Sequence, residues 1–353
     1  MKSFPENGFI RNPKMRQKAV TIRDVARQAG VSISTVSRVI NESTSVSPLT
    51  RERVLQVIDR LGYTPYKSAQ TLKKKKTGVI GVVIPDISNP FFSLMVRGIG
   101  KAARAHGYSV LVCDTDNDPE NESNYMNVLL REHVEGVILT TTGRGDESVD
   151  RLLQRSIPLV AADRRLNRPD VASVLTDGVK DGVRLTRYLI GLGYRRMTFL
   201  SGPEHISTAR ERLHGFQQAM EAQGLPAQIV PSPASKHGYT FESGYQAAQQ
   251  LLKSGPLPEA LIAANDLMAL GALRAFEEQG LAIPEDIGIA GFDHIPLAEW
   301  IRPRLTTMEI PAYEIGWNAM ELLVQLIRQD PRHKRRILIP TRLIKGESTR
   351  RVR

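Results

Sequence analysis

Cysteine is almost missing from this sequence: Cys113 is the only one among 353 residues. A single thiol cannot close a disulfide within the chain, and a cysteine-rich metal site is excluded with it. Its neighbours Leu111 and Val112 read as a strand, so a buried core thiol is expected, with nothing beside it to activate a nucleophile. Long apolar runs are missing too, and none reaches membrane-spanning length. The first twenty residues, MKSFPENGFIRNPKMRQKAV, hold no hydrophobic signal core. A cytoplasmic protein without membrane contact is therefore expected, its residues 1–20 forming a disordered basic arm. The patterns GxxxxGK[ST], HExxH and GxSxG do not occur, and no His/Cys cluster has zinc spacing. No metal and no cofactor are expected. An RGD at 144–146 reads as loop sequence.

What the chain does have is length for two or three domains and 41% hydrophobic residues to fill their cores. Its charge is segregated. Residues 1–77 hold 16 Lys/Arg and 5 Asp/Glu, whereas the remaining 32 basic and 32 acidic residues cancel. The whole net charge of +11 thus lies in the first fifth, as in a small module for a polyanion attached to a neutral body.

Within that module, TIRDVARQAGVSISTVSRVIN (21–41) contains two helical patterns broken at Gly30. Ile22, Val25, Ala26 and Ala29 share one face of the first, and Val31, Val36, Val39 and Ile40 line the second. Thr21 with Asp24, and Ser32 with Thr35, are placed to cap the two starts. Ile33, Ser34, Ser37, Arg38 and Asn41 face away from the apolar stripe. Four hydrogen-bonding side chains and one exposed Ile make a face suited to reading a nucleic-acid groove. A third helix is predicted from Ser47-Pro48 to Leu61, where Leu49, Val54, Val57, Ile58 and Leu61 would close the core and Gly62 stops it. The headpiece so defined spans 21–64. Residues 65–77, with Ala69 and Leu72 at helical spacing and four lysines at 73–76, read as a linker able to form a short helix on a partner.

From Gly78 onward, short apolar strands alternate with helices of ten or more residues, beginning with GVIGVVI (78–84) and ending with ILIP (337–340). Some ten strands in this rhythm imply two doubly wound parallel sheets with a ligand cleft near the strand ends. The partition expected is 78–176 with 309–338, and 177–308 with 339–353.

From Thr21 to about Ser348 the chain resembles the lac/gal repressor family of bacterial transcription regulators. The resemblance rests on the stretch 21–41 with VSPLTRERVLQVIDRLGYTP (46–65), AQTL (69–72), NPFFSLMVRGI (89–99) and GPEHISTARERLHGF (202–216). FESGYQAA (241–248), NDLMALGAL (265–273), PEDIGIAGFD (284–293) and LTT (305–307) follow in the family's order. It implies an all-α helix-turn-helix headpiece, a hinge helix, and two α/β subdomains of periplasmic-binding-protein type. Such a protein is a DNA-binding regulator, most often a repressor, controlled allosterically by a small effector.

Carried over residue by residue, Ile33, Ser34 and Arg38 would read bases in the major groove of a palindromic operator. Arg38 suits guanine, and Ile33 suits a thymine methyl. Thr35, Ser37 and Asn41 would hold phosphates. Ala69 and Leu72 would meet the minor groove, Leu72 as a wedge. Tyr66 departs from the Asn common there in the family. Phe91, Phe92, Asp163, Arg212, Tyr239, Asn265 and Asp293 would bind the effector, a sugar, sugar phosphate or nucleoside. Ile310 replaces a frequent Gln, which argues for a ligand smaller or less polar than lactose or a purine. Only seven mostly polar residues follow Gly346, so a homodimer rather than a tetramer is expected. A solute receptor and a sugar-converting enzyme on the same body are the alternatives.

Overall fold

The computed structural model describes residues 20–41, 45–63, 77–144, 146–231, 238–331 and 335–352. Most of the expected basic arm and of the 65–77 linker, including Tyr66, Ala69, Leu72 and the four lysines, lies outside the described residues. The chain divides into two compact units, Met1–Thr77 and Gly78–Arg353.

The first unit contains α1 (Ile22–Ala29), α2 (Ile33–Ile40) and α3 (Pro48–Leu61). Gly30 and Gly62 take the left-handed conformation that ends α1 and α3, at φ 63° and 59°. Val25, Ala26, Ala29, Val36, Val39, Val54 and Val57 form the core. Leu49 does not join it and is 80% exposed. At about 100° per residue it lies roughly 140° around the helix from Val54, on the solvent side, so its place in the expected core is corrected.

The second unit holds two six-stranded sheets. The first comprises β1 (Val79–Ile84), β2 (Ser109–Asp114), β3 (Gly136–Leu139), β4 (Leu159–Ala162), β5 (Ala172–Leu175) and β11 (Arg336–Leu338). Its order is β11-β5-β4-β3-β1-β2, all parallel. The second comprises β6 (Met197–Leu200), β7 (Ala227–Val230), β8 (Ala260–Ala263), β9 (Gly288–Asp293), β10 (Thr306–Glu309) and β12 (Arg342–Ile344). Its order is β12-β10-β9-β8-β6-β7, with β12 antiparallel to β10. That antiparallel edge departs from the purely parallel expectation. Three residues with an exposed Arg342 give no apolar run to read.

Among the described residues nine helices join these strands: α4 (Pro90–Ala105), α5 (Pro119–Arg131), α6 (Asp146–Gln154), α7 (Gly178–Gly191), α8 (Ser207–Glu221), α9 (Phe241–Lys253), α10 (Asp266–Glu277), α11 (Pro296–Trp300) and α12 (Ala312–Ile327). The chain crosses between the sheets three times, after β5, after β10 and after β11. Side chains of the first sheet, α4 and α12 share one core cluster with Leu270 of α10 and with Ile295 and Ile310.

One close helix crossing is α4 on α12. A methyl group on Gly98 would lie 2.2 Å from the Tyr313 carbonyl oxygen, and one on Gly316 would lie 2.1 Å from that of Met95. Gly98→Ala should therefore cost about 1–3 kcal/mol by overpacking, read as a lowered urea midpoint with an unchanged slope. An unaltered midpoint would show that the helices separate without cost.

Candidate ligand cleft and nucleic-acid interface

The reading face of α2 is set by its own caps. The Thr35 amide donates to Ser32 Oγ at 3.1 Å, and that oxygen also lies 2.7 Å from Ser34 Oγ and 2.8 Å from Thr35 Oγ1. At α1 the Thr21 amide and hydroxyl both donate to Asp24, at 3.0 and 2.7 Å. Ile33, Ser34 and Arg38 are exposed, Ile33 at 46%. Thr35 and Ser37 are half-buried, and Asn41 Nδ2 is turned back onto the Ser37 carbonyl at 2.7 Å. Arg38 and Ile33 are thus open to solvent, whereas the Ser34 hydroxyl is engaged with Ser32. Thr35 and Asn41 spend hydrogen bonds on the helix itself.

In the body, the polar residues gather at the carboxyl ends of strands, where a doubly wound sheet leaves backbone amides and loop side chains converging. Asn89 follows β1 and caps α4, its Oδ1 accepting from the Phe91 amide at 3.0 Å. Asp163 and Arg164 follow β4, Asn265 follows β8, and Asp293 ends β9. Phe92, Arg212, Tyr239, Asn265 and Asp293 line one cavity together with Asn89, Asn117, Arg164 and Thr208. Two expected residues do not line it. Phe91 turns into the core, edge-on to Phe92 with ring centroids 5.2 Å apart. It borders an adjoining cavity of about 140 Å3 with Ile310, so Ile310 is not a wall of the cleft. Asp163 is buried, with Oδ1 lacking a hydrogen-bond partner.

The charged groups of the cleft are buried. Arg212 donates through Nη2 to Asp293 Oδ1 at 2.9 Å and through Nη1 to the Ala264 carbonyl at 2.7 Å, and stacks 4.8 Å over the Phe292 ring. Burial lifts the Asp293 carboxyl to about 6 although Arg212 pulls the other way. Burial also raises Asp163. Arg164 donates to Asn117 Oδ1 at 3.2 Å and to the Thr141 carbonyl at 3.0 Å. It also sits within cation–π range of both Phe92 and Tyr239. Asn265 is fixed at both ends, donating to the Tyr239 carbonyl at 3.0 Å and accepting from the Met268 amide at 2.9 Å. Beneath it Asp266 accepts from Thr307 Oγ1 at 2.7 Å and from the Ile295 amide at 3.0 Å. Asn89, Asn117, Arg164 and Asp266 carried no assigned role in the sequence. Only Arg164 had a signal, a second charge directly after Asp163 at the end of an apolar strand.

The cleft is shut. Its cavity is about 20 Å3, room for roughly one water and no sugar. Contacts between the subdomains hold it: the Arg165 amide donates to Ser207 Oγ at 2.8 Å, its guanidinium pairs with Glu211 at 3.0 Å, and Arg144 Nη2 lies 3.2 Å from His205 Nδ1. Among the described residues, no three His, Cys, Asp or Glu side chains group to hold a metal, and no helix is long and apolar enough to cross a membrane.

A basic helix-turn-helix unit joined to a two-sheet body with a polar interior cleft defines a ligand-responsive DNA-binding regulator. Residues 21–66 match the family model described as "Bacterial regulatory proteins, lacI family". Residues 77–347 match that described as "Periplasmic binding proteins and sugar binding domain of LacI family". The chain belongs to the LacI family, and it is a transcription regulator of that family's kind. It is 39% identical over 333 residues to the ribose operon repressor of Halalkalibacterium halodurans, covering 94% of this chain and 97% of that one. It is similar to the lac repressor dimer bound to operator and the anti-inducer ONPF, at TM-score 0.81 and 30% identity over 94% of this chain and 100% of the other. A LacI family regulator from Enterococcus faecium with bound ribose matches at TM-score 0.70 and 29% identity, over 78% and 100% of the two chains.

Arg212→Met should leave Asp293 buried without its partner and the Ala264 carbonyl without its donor, costing about 3–5 kcal/mol at pH 8. The cost should shrink at pH 5. Asp293 has a folded pKa of about 6, raised above that of the unfolded chain. The stability from that raised value is present at low pH and lost as pH rises through about 6. Urea titrations of both proteins at the two pH values measure the difference. An equal cost at both would mean that the Asp293 charge is not what the arginine offsets.

Proposed function

We propose that the protein is a cytoplasmic, homodimeric repressor of a palindromic operator, controlled by a small neutral polyol of the pentose class. The observation that carries the effector class is the charge balance of the cleft. The two buried arginines, Arg164 and Arg212, face two buried carboxylates, Asp163 and Asp293. Their charges balance, so the cleft holds no excess of positive charge for a phosphate group. Instead the Asp163 oxygen without a partner and the Asp293 carboxylate are acceptors for paired hydroxyls, with Phe92 and Tyr239 to cover an apolar ring face. Asp163 then acts from below the cleft wall and Phe91 by seating Phe92. The bound ribose in the Enterococcus faecium regulator supports this reading.

Dimerisation is supported by apolar surface that one copy leaves open. Trp300 is 76% exposed, and Leu111 and Val112 on edge strand β2 are 36% and 39% exposed. Ligand entry requires the shut subdomains to part, so the ligand selects among closure states and couples to DNA affinity through them. No reaction is assigned, and pentoses should be recovered unchanged after prolonged incubation.

Calorimetric titration with D-ribose, ribose 5-phosphate and cytidine, followed by operator binding at saturation, tests the proposal. Ribose should bind and alter operator affinity by about fivefold or more, and ribose 5-phosphate should bind far more weakly. Hydroxyls donating to Asp293 favour its ionised form, so binding should release protons near pH 6 and weaken as pH falls through it. Tighter binding of the phosphate ester would reject the neutral-polyol assignment. On the DNA side, Arg38→Ala should cost about 1–3 kcal/mol on the operator and little on random sequence. Equal losses on both would remove Arg38 from base reading.

A further inference from the structure

The first sheet carries a second cavity, away from the cleft. Along β5, Ala172 and Val174 face the core shared with α4 and α12, so Ser173 and Leu175 face the opposite side, the one that α5 and α6 cover over β3 and β4. After β5 the chain leaves for the second sheet, and β11 is reached from α12 on the other face. No crossover helix therefore returns over β5 and β11 on that side, and Leu338 remains 54% exposed. Both faces of a parallel sheet are ordinarily covered. Here the uncovered part is a groove of about 310 Å3, against about 20 Å3 in the cleft.

The groove has an apolar floor at Ala161, Val171 and Leu175, with the Ser173 hydroxyl among them, and four arginines around it. Two of these are spent. Arg168 donates twice to Asp170 at 2.9 Å and also pairs with Asp150, and Arg165 pairs with Glu211 at 3.0 Å. The other two, Arg335 and Arg336, are exposed and make no ion-pair contact among the described residues, although Arg335 lies near enough to Asp170 to help lower its carboxyl. An apolar floor with two unspent guanidinium groups at its mouth matches a ligand that is flat and apolar at one end and anionic at the other. Guanidinium forks suit phosphate oxygens in particular. The volume falls in the range of small-molecule sites. We propose that this groove binds a small organic phosphate of the nucleotide class, its phosphate held by Arg335 and Arg336 and its ring laid on the floor over β5.

The test uses the full chain and adenosine monophosphate as probe, with inorganic phosphate and adenosine in parallel, by calorimetry at low salt. The nucleotide should bind at least about tenfold more tightly than either fragment. Two independent variants should each weaken it about tenfold or more: the pair Arg335→Glu with Arg336→Glu, which reverses the charge, and Ser173→Trp, which fills the groove. Melting curves by circular dichroism show that each variant is folded, and Asn265→Ala, in the cleft, should leave nucleotide binding unchanged. The proposal is overturned by any of three results with the nucleotide. These are no binding at about 10 mM nucleotide, nucleotide affinity untouched in both folded groove variants, or loss of binding in Asn265→Ala, which would place the nucleotide in the cleft. Inorganic phosphate binding as tightly as the nucleotide would also overturn it, leaving only a nonspecific anion contact.

Discussion

Two guanidinium groups withdrawn from water set the terms for the cleft. A buried cation is costly unless its donors are met: those of Arg212 reach groups from different parts of the chain, whereas Arg164 is met at Nη1 and keeps a buried Nε without a partner. Arg212 rises from α8 to reach the end of β9 and the carbonyl after β8. Arg164 gathers the turn after β2 and the segment after β3, and lies between an aromatic ring from each sheet's side. The strand ends are thereby fixed relative to one another before any ligand arrives. What stays unsatisfied there is one acceptor, Asp163 Oδ1, and one donor, Arg164 Nε.

The same arrangement explains why the cleft can be both shut and responsive. The polar contacts at its rim are few: Arg165 with Ser207 and Glu211, and Arg144 with His205, beside apolar contacts from Leu270 and Ile295. A part-exposed ion pair such as Arg165–Glu211 contributes little. The sheets themselves rest on broad apolar cores and close helix crossings. Opening therefore costs far less than unfolding, which is the condition for two rigid bodies to move about three connecting segments.

Much of this was legible in the sequence because it is local. The caps at Thr21 and Ser32, the breaks at Gly30 and Gly62 and the continuous apolar runs of the central strands each specify their own conformation. Leu49 was misplaced because composition near a helix start does not state which way the helix faces. β12 and α11 were not foreseen, since three residues at a sheet edge and five in a turn of helix carry no period. In the cleft, the family resemblance named residues, but the partners that make them work, Asn117 for Arg164 and Ala264 for Arg212, are brought together only by the folded chain. No spacing could announce Asp266, whose carboxylate ties the end of β8 to β10.

The order of the strands has a consequence for synthesis. The headpiece unit draws on no residue beyond 77, whereas each sheet of the body takes its last edge strand from 336–344. At about 5–20 residues per second, roughly a quarter to a full minute separates the emergence of the first from the completion of the second. During that interval the ribosome displays a basic, foldable DNA reader on a nascent chain whose two sheets are both unfinished. The two edge strands, β11 for the first sheet and β12 for the second, leave the tunnel close together. A chain cut before Arg336 therefore lacks an edge strand in both sheets rather than in one.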